Sequence, residues 1–311
     1  MLGSLSGLPR YPEGARLSET DNRFWISRGS REELIVFIDG AVKVQGESAS
    51  NVFTGLDLVL DARYKGGRIL CILDDPSIES KFVTVATYIS IETATYSGQQ
   101  LFRFLLREFN EWSAFLRPKQ DGISEAELTG LWGELHVMGQ FYCQKYTPSK
   151  ASAYFLGPSG APQDFGGVGF TLEVKTTKDK APSELKISSL KQLFAESSEQ
   201  AITLLQIDQS DGGKSVYNYL NLIEEHLKAD LSAFMSFQKK VHRLVGRASE
   251  EQLGRKHVVQ NITCWSVCDS FPKLTPENVP KAVHKAQYSL RISDLLDFKI
   301  ENNLEGFLNG K

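Results

Sequence analysis

Cysteine is scarce in this chain, and the four that occur, Cys71, Cys143, Cys264 and Cys268, are scattered. Cys264 and Cys268 lie in an apolar strand-like run with no histidine at zinc-ligand spacing, so neither a metal nor a disulfide framework organises the fold and reduced, buried thiols are expected. Apolar runs of membrane-spanning length are missing too. The first residues, Met1 to Gly7, are too short and uncharged for a secretory leader, so the expectation is a cytoplasmic protein with no membrane partner. A GxxxxGK[ST] phosphate loop is absent, which assigns any ATP-driven step to a separate ATPase, and no methyltransferase or zinc motif occurs. Internal repeats and low-complexity linkers are also lacking. Finally, the chain has no large charge of either sign. Its 35 Lys and Arg against 38 Asp and Glu leave −3 and a pI near 6.0, so a polyanion would have to be met by a local basic patch. What remains is 311 residues, 41% hydrophobic and 23% charged, enough for one large globular domain or two smaller ones.

The richest stretch runs from Asp164 to Thr177. Gly166, Gly167 and Gly169 supply a turn in which positive φ costs little, and Phe170 to Thr176 alternates with β-favouring residues, which predicts a tight hairpin. On its second strand Thr171, Glu173, Lys175 and Thr177 share one face, and Leu172, Val174 and Thr176 share the other. With the turn centred between Gly167 and Val168, Asp164 pairs with Thr171 and lies diagonal to Glu173 on the same face. Three charged groups so placed form either a surface salt-bridge cluster, worth about 0–1 kcal/mol, or a metal site. An acid-x-base pair alone decides nothing, since Glu79-Ser80-Lys81 and Glu184-Leu185-Lys186 also satisfy it.

Along the chain, Phe24 to Ser27, Glu33 to Asp39, Leu56 to Tyr64 and Arg68 to Leu73 read as short strands, with Lys65-Gly66-Gly67 as a hairpin turn. Pro76 to Ile91 and Ser97 to Leu116 read as helices, and Pro118, Asp121 and Gly122 mark a boundary. This predicts a β-rich N-terminal module over residues 1–120 and a second domain over 121–311 with a helical insertion and C-terminal strands. Ser124 with Glu127 forms a capping box that opens a helix from about Glu125 to Tyr146, whose Leu128, Leu131, Leu135, Met138 and Tyr142 recur at three- and four-residue steps. Gly130 and Gly133 inside it each cost about 1 kcal/mol against Ala, which implies a close backbone or ligand at both. Glu134 borders the apolar stripe and is either a solvated helix glutamate or a carboxylate at the core's edge. Beyond the hairpin come Lys178, Lys180, Lys186 and Lys191, a helix from Ser189 to Gln200 with Ser189 and Gln192 as a capping box, and a buried strand from Ala201 to Asp208. Helices at Ser215 to Lys228 and Asp230 to Leu244 follow. Lys239, Lys240, Arg243 and Arg247 make either a solvated face or phosphate contacts. Val258 to Asp269 and Gln287 to Ile292 read as strands, and Ser293 to Phe298 as a short helix or turn.

The order of a helix bearing Glu134, then Asp164, then Glu173 and Lys175 on a strand, then Gln192 and another strand, resembles the PD-(D/E)XK nuclease superfamily over about Ser124 to Asp208. The segments Gly130-Leu131-Trp132-Gly133-Glu134-Leu135, Gly157-Pro158, Gln163-Asp164-Phe165, Glu173-Val174-Lys175-Thr176-Thr177 and Ser188-Ser189-Leu190-Lys191-Gln192-Leu193 resemble a little-characterised bacterial family within it that is associated with defence against foreign DNA. The superfamily's leading Pro-Asp pair is replaced by Gln163-Asp164. The resemblance implies a mixed α/β fold with a restriction-endonuclease-like core, its central mixed sheet flanked by helices. It implies a Mg²⁺-dependent DNA endonuclease, Mn²⁺ substituting, with Asp164, Glu173 and Glu134 as metal ligands, Lys175 beside the attacking water and Gln192 in support. Lys178, Lys180, Lys186 and Lys191 would hold DNA, and a symmetric homodimer would cut both strands. The alternative is a non-catalytic DNA-binding or scaffolding subunit of a multi-protein defence complex.

Overall fold

Two compact units, Met1–Pro118 and Lys119–Lys311, divide the chain. The computed structural model describes residues 5, 7–40, 49–53, 55–64, 66–93, 95–116, 122–158, 161–194 and 199–309. Lys65 of the N-terminal turn, Pro118 and Asp121 of the boundary, and 195–198 of the helix expected after Ser189 lie outside them.

The first unit is built on an antiparallel six-stranded sheet of order β1-β2-β3-β6-β5-β4. Its strands are β1 (Ala15–Arg16), β2 (Phe24–Arg28), β3 (Leu34–Asp39), β4 (Ala49–Phe53), β5 (Leu56–Asp61) and β6 (Arg68–Leu73). Gly66 and Gly67 both take positive φ in the β5–β6 turn, as a tight hairpin requires. Leu34 to Ile38 are all buried, so both faces of the central strand are covered. Helices α1 (Glu79–Glu92) and α2 (Gly98–Leu116) pair through Phe82 stacked on Phe109 and Tyr88 edge-on to Trp112.

The second unit carries the nuclease-like region. Helix α3 (Glu125–Val137) opens with the full Ser124–Glu127 capping box and runs through a π-helical turn, Met138–Tyr142, into α4 (Cys143–Lys145). The expected single helix is therefore three consecutive segments, its middle turn π-helical from Met138 to Tyr142, ending at Lys145. A short α5 (Pro148–Tyr154), which periodicity did not reveal, leads to the hairpin of β7 (Phe165–Gly167) and β8 (Phe170–Thr177). Strands β9 (Glu184–Ile187) and β10 (Glu199–Lys214) follow, then α6 (Val216–Leu227), α7 (Leu231–Val245), α8 (Glu250–Gly254), β11 (His257–Ser266), β12 (Tyr288–Arg291), a 3₁₀ turn over Ile292–Phe298 and α9 (Asn303–Leu308). The central sheet has order β11-β10-β8-β7; β8 and β10 are parallel and the other pairs antiparallel. β9 and β12 form a separate two-stranded ribbon.

Alternation along the sheet explains its two covers. Leu172, Val174, Ala201, Leu205 and Ile207 join a core built with α3, α5, α6, α7 and α9, while Ile202 and Leu204 join a second core with Leu185 and Ile187 of β9. Gly133 is where α3 meets the sheet: a Cβ there would lie 1.8 Å from Thr176 Oγ1. Gly130 does not share this contact, since nothing lies within 4 Å of its Cβ position, so the close approach expected at both glycines occurs at one.

Among the described residues 189–194 the helix expected from Ser189 is not formed. Residues 190–193 make a turn, with the Gln192 amide donating to Ser189 O. The backbone carbonyls a helix would use are taken by side chains: Gln163 Nε2 donates to the carbonyls of Lys191, Gln192 and Phe194, and Gln200 Nε2 to that of Gln192. Three of the four cysteines, Cys71, Cys143 and Cys264, are buried thiols, whereas Cys268 is exposed.

Candidate active site

The β7–β8 hairpin pairs Phe165 with Leu172, Gly166 with Thr171 and Gly167 with Phe170, around a turn at Val168-Gly169 where Gly169 has φ of 79°. That register is two residues on from the expected one. A shift of two preserves which face each side chain takes, and Thr171 pairs with Gly166, not with Asp164, which lies just before the first pair and meets β8 through its side chain. Asp164 is anchored at both ends. Its Oδ2 accepts from the Val174 amide at 2.7 Å, and its carbonyl accepts from the amides of Leu156 and Gly157 at 2.8 and 3.1 Å. Gly157 sits at φ 63°, the conformation that lets the chain turn beneath the aspartate.

Glu173 is 2% exposed. Its Oε1 accepts from Lys175 Nζ at 2.7 Å, and the same ammonium donates to Gln192 Oε1 at 3.3 Å. Gln192 Oε1 also accepts from the Ser188 amide at 2.7 Å, so its side chain does not cap Ser189 but links the turn after β9 to the lysine. The structure thus brings Asp164, Glu173, Lys175 and Gln192 together. Glu134, half-buried on α3, is within electrostatic reach: burial first, then Asp164 and Glu173, hold its carboxyl well above the usual carboxylate range, against the pull of Lys175. Burial and the nearby Asp164 push Glu173 up to about 8 despite Lys175, and burial raises Asp164 to about 6 despite the Val174 amide and Lys175. Crowded, desolvated carboxylates with raised pKa mark a candidate functional site.

The remaining lysines are distributed differently. Lys178 pairs with Glu125 at 3.2 Å and Lys180 with Asp208 at 3.6 Å, while Lys186 and Lys191 are exposed. Glu184-Leu185-Lys186 proves to lie on a strand as well, so strand placement does not single out Glu173-Val174-Lys175. Burial does, because Glu184 and Lys186 are exposed. The second basic group dissolves: Lys240 Nζ donates to the carbonyls of Ser152 and Phe155 at 2.8 and 2.6 Å, closing the end of α5, and Arg247 donates to Gly122 O at 3.1 Å. Lys239 also has a partner, and the Arg243 side chain is outside the described residues. Sequence reasoning missed Gln163, which is buried and holds the Gln192 turn; its place in the Pro-Asp motif was the available signal.

One comparison with known proteins finds a match. A family model described as "Putative PD-(D/E)XK family member (DUF4420)" covers residues 17–293. The chain belongs to this family. No curated protein and no solved structure matches it. The match reaches into both compact units. Nucleases of the PD-(D/E)XK superfamily typically use divalent metals, and two buried oxygens test whether these residues fit one. Glu134 Oε2 and Glu173 Oε2 are buried and lack a hydrogen-bond partner. A buried acceptor without a donor costs about 1–3 kcal/mol, more if charged, so the donor set fits a hard cation. Among the described residues no three His, Cys, Asp or Glu side chains gather tightly enough to hold a metal by themselves. The expected three-carboxylate ligand set of Asp164, Glu173 and Glu134 is therefore not gathered as a cluster. Among the described residues no helix is long and apolar enough to cross a membrane.

Proposed function

We propose that this protein is a Mg²⁺-dependent endonuclease that hydrolyses DNA phosphodiester bonds, in the defence role that the family resemblance implied. The observation that carries the reading is the pair of orphaned carboxylate oxygens, on Glu134 and Glu173, beside an aspartate and a lysine on one hairpin face. Asp164 and Glu173 would hold the metal, and Glu134 a metal-bound water. When bound, such an ion supplies Lewis-acid stabilisation of the phosphoryl oxygens and acidifies a water. The chain's own contribution is positioning. Lys175 is fixed by Glu173 and Gln192, so its ammonium is held where negative charge develops on the attacked phosphate, and pre-orientation means little reorganisation is needed as that charge forms. Asp164 is prevented from swinging away by the Val174 amide.

The test pairs a plasmid-nicking assay with Mn²⁺ calorimetry. Cleavage is expected in Mg²⁺ or Mn²⁺ and not in EDTA or Ca²⁺. Lys175→Ala should abolish it while Mn²⁺ still binds, and Asp164→Ala should lose both. Equal nicking by wild type and Lys175→Ala would refute the assignment. Metal binding with no cleavage of any DNA would return the protein to the scaffolding-subunit reading.

A further inference from the structure

The connection from Ser266 to Tyr288 contains no helix or strand, longer than the ~15 residues beyond which structureless connections are usually functional. It is nonetheless held in place. Asn278 Oδ1 accepts from the Thr275 amide at 2.7 Å, Asn278 Nδ2 donates to Lys273 O at 2.8 Å, and the Leu274 amide donates to Tyr288 Oη at 3.0 Å. Against this segment, residues 188–191 form the other wall of a groove of about 1070 Å³.

The lining of that groove is one-signed. Lys191 stands on one wall and Lys281, His284 and Lys285 on the other, with no carboxylate among the lining residues. No described carboxylate forms an ion pair with these three lysines. Lys178 and Lys180 differ, since they are compensated by Glu125 and Asp208. The contrast extends to the groove of the first unit, where Arg10 and Arg28 are matched by Glu32 and Glu79. In a chain of net charge −3, an uncompensated basic groove is where a polyanion is met. The wall of the groove borders the candidate active site, since the Ser188 amide and Lys175 Nζ donate to the same oxygen, Gln192 Oε1. Apolar Pro276, Pro280 and Val283 offer no aromatic ring for a base to stack on, so the contacts available are to phosphate and sugar.

From this arrangement we infer that the groove between residues 188–191 and 276–287 is the track along which the phosphates of a DNA strand leave the active site, gripped by Lys191, Lys281 and Lys285 without regard to base sequence. This rests on the nuclease reading, and the experiment separates the two. Lys281→Ala with Lys285→Ala removes two exposed cations outside the metal site. Fluorescence anisotropy in Ca²⁺ across a salt series, with duplex DNA, single-stranded DNA and RNA as arms, should show the log–log slope of DNA binding reduced by roughly two, while Mn²⁺ affinity is unchanged. Lys178→Ala with Lys180→Ala should change it by less than one. An unchanged slope in the Lys281/Lys285 variant overturns the track, as does binding confined to RNA or no binding at low salt. A reduced slope in a protein whose wild type never cleaves keeps the track and removes the nuclease reading.

Discussion

At the scale of the residue, Gln163 explains how the chain departs from its superfamily motif without losing the site. A proline in that place has no side-chain donor, whereas the Gln163 amide is shared among three carbonyls of the turn that carries Gln192. Gln163→Pro would restore the motif's letters and remove that support. We expect it to lower stability by about 1–3 kcal/mol and to slow cleavage by loosening Gln192, with Mn²⁺ affinity kept. Denaturant midpoints beside single-turnover rates check it, and a faster enzyme would show that the turn needs no holding. The charged residues of the site were legible from the strand's two-residue period and the family's order of motifs. Gln163 was not, because its role depends on residues 28 to 31 positions further along the chain.

At the scale of the element, the two glycines of α3 make opposite predictions from one helix. Gly133 faces Thr176, where an added methyl would overlap Oγ1, so Gly133→Ala should cost about 1–3 kcal/mol or displace β8. Gly130 faces open space, so Gly130→Ala should stabilise by about 0.5–1 kcal/mol. Urea titration of the two variants decides it; a stabilising Gly133→Ala would mean the helix is not seated on Thr176. Periodicity read α6 and α7 because each buries one face, whereas β10, buried on both faces from Gln200 to Leu205, was read from its continuous apolar run. It failed after Ser189, where Leu190 and Leu193 mimic a helical step but long-range amides from Gln163 and Gln200 claim the carbonyls. The hairpin register slipped by two because three glycines near one turn leave its centre undetermined, yet the face assignment survived for the same reason that strands alternate.

At the scale of the whole molecule, charge is placed by function and burial more than by the net count. Lys240 gives a measurable case. Burial lowers its ammonium from 10.5 to about 8, while the carbonyls of Ser152 and Phe155 at the end of α5 hold the charged form in place. The unfolded chain therefore binds this proton more tightly than the folded one between about pH 8 and 10.5. The sign follows: the stability tied to Lys240 is fully present above the unfolded value and is lost as pH falls through about 8. A full shift of that size corresponds to about 3 kcal/mol, reduced to about 1–2 kcal/mol because the side chain is only half-buried. General self-repulsion of an acidic chain works against this trend as pH rises, so the comparison must be with Lys240→Met, which removes the titration and leaves the rest of the charge alone. Urea midpoints at pH 7.5, 8.5 and 9.5 should show wild type gaining about 1 kcal/mol relative to the variant across the series. Parallel curves would mean that the two carbonyls fully offset the cost of burying the ammonium.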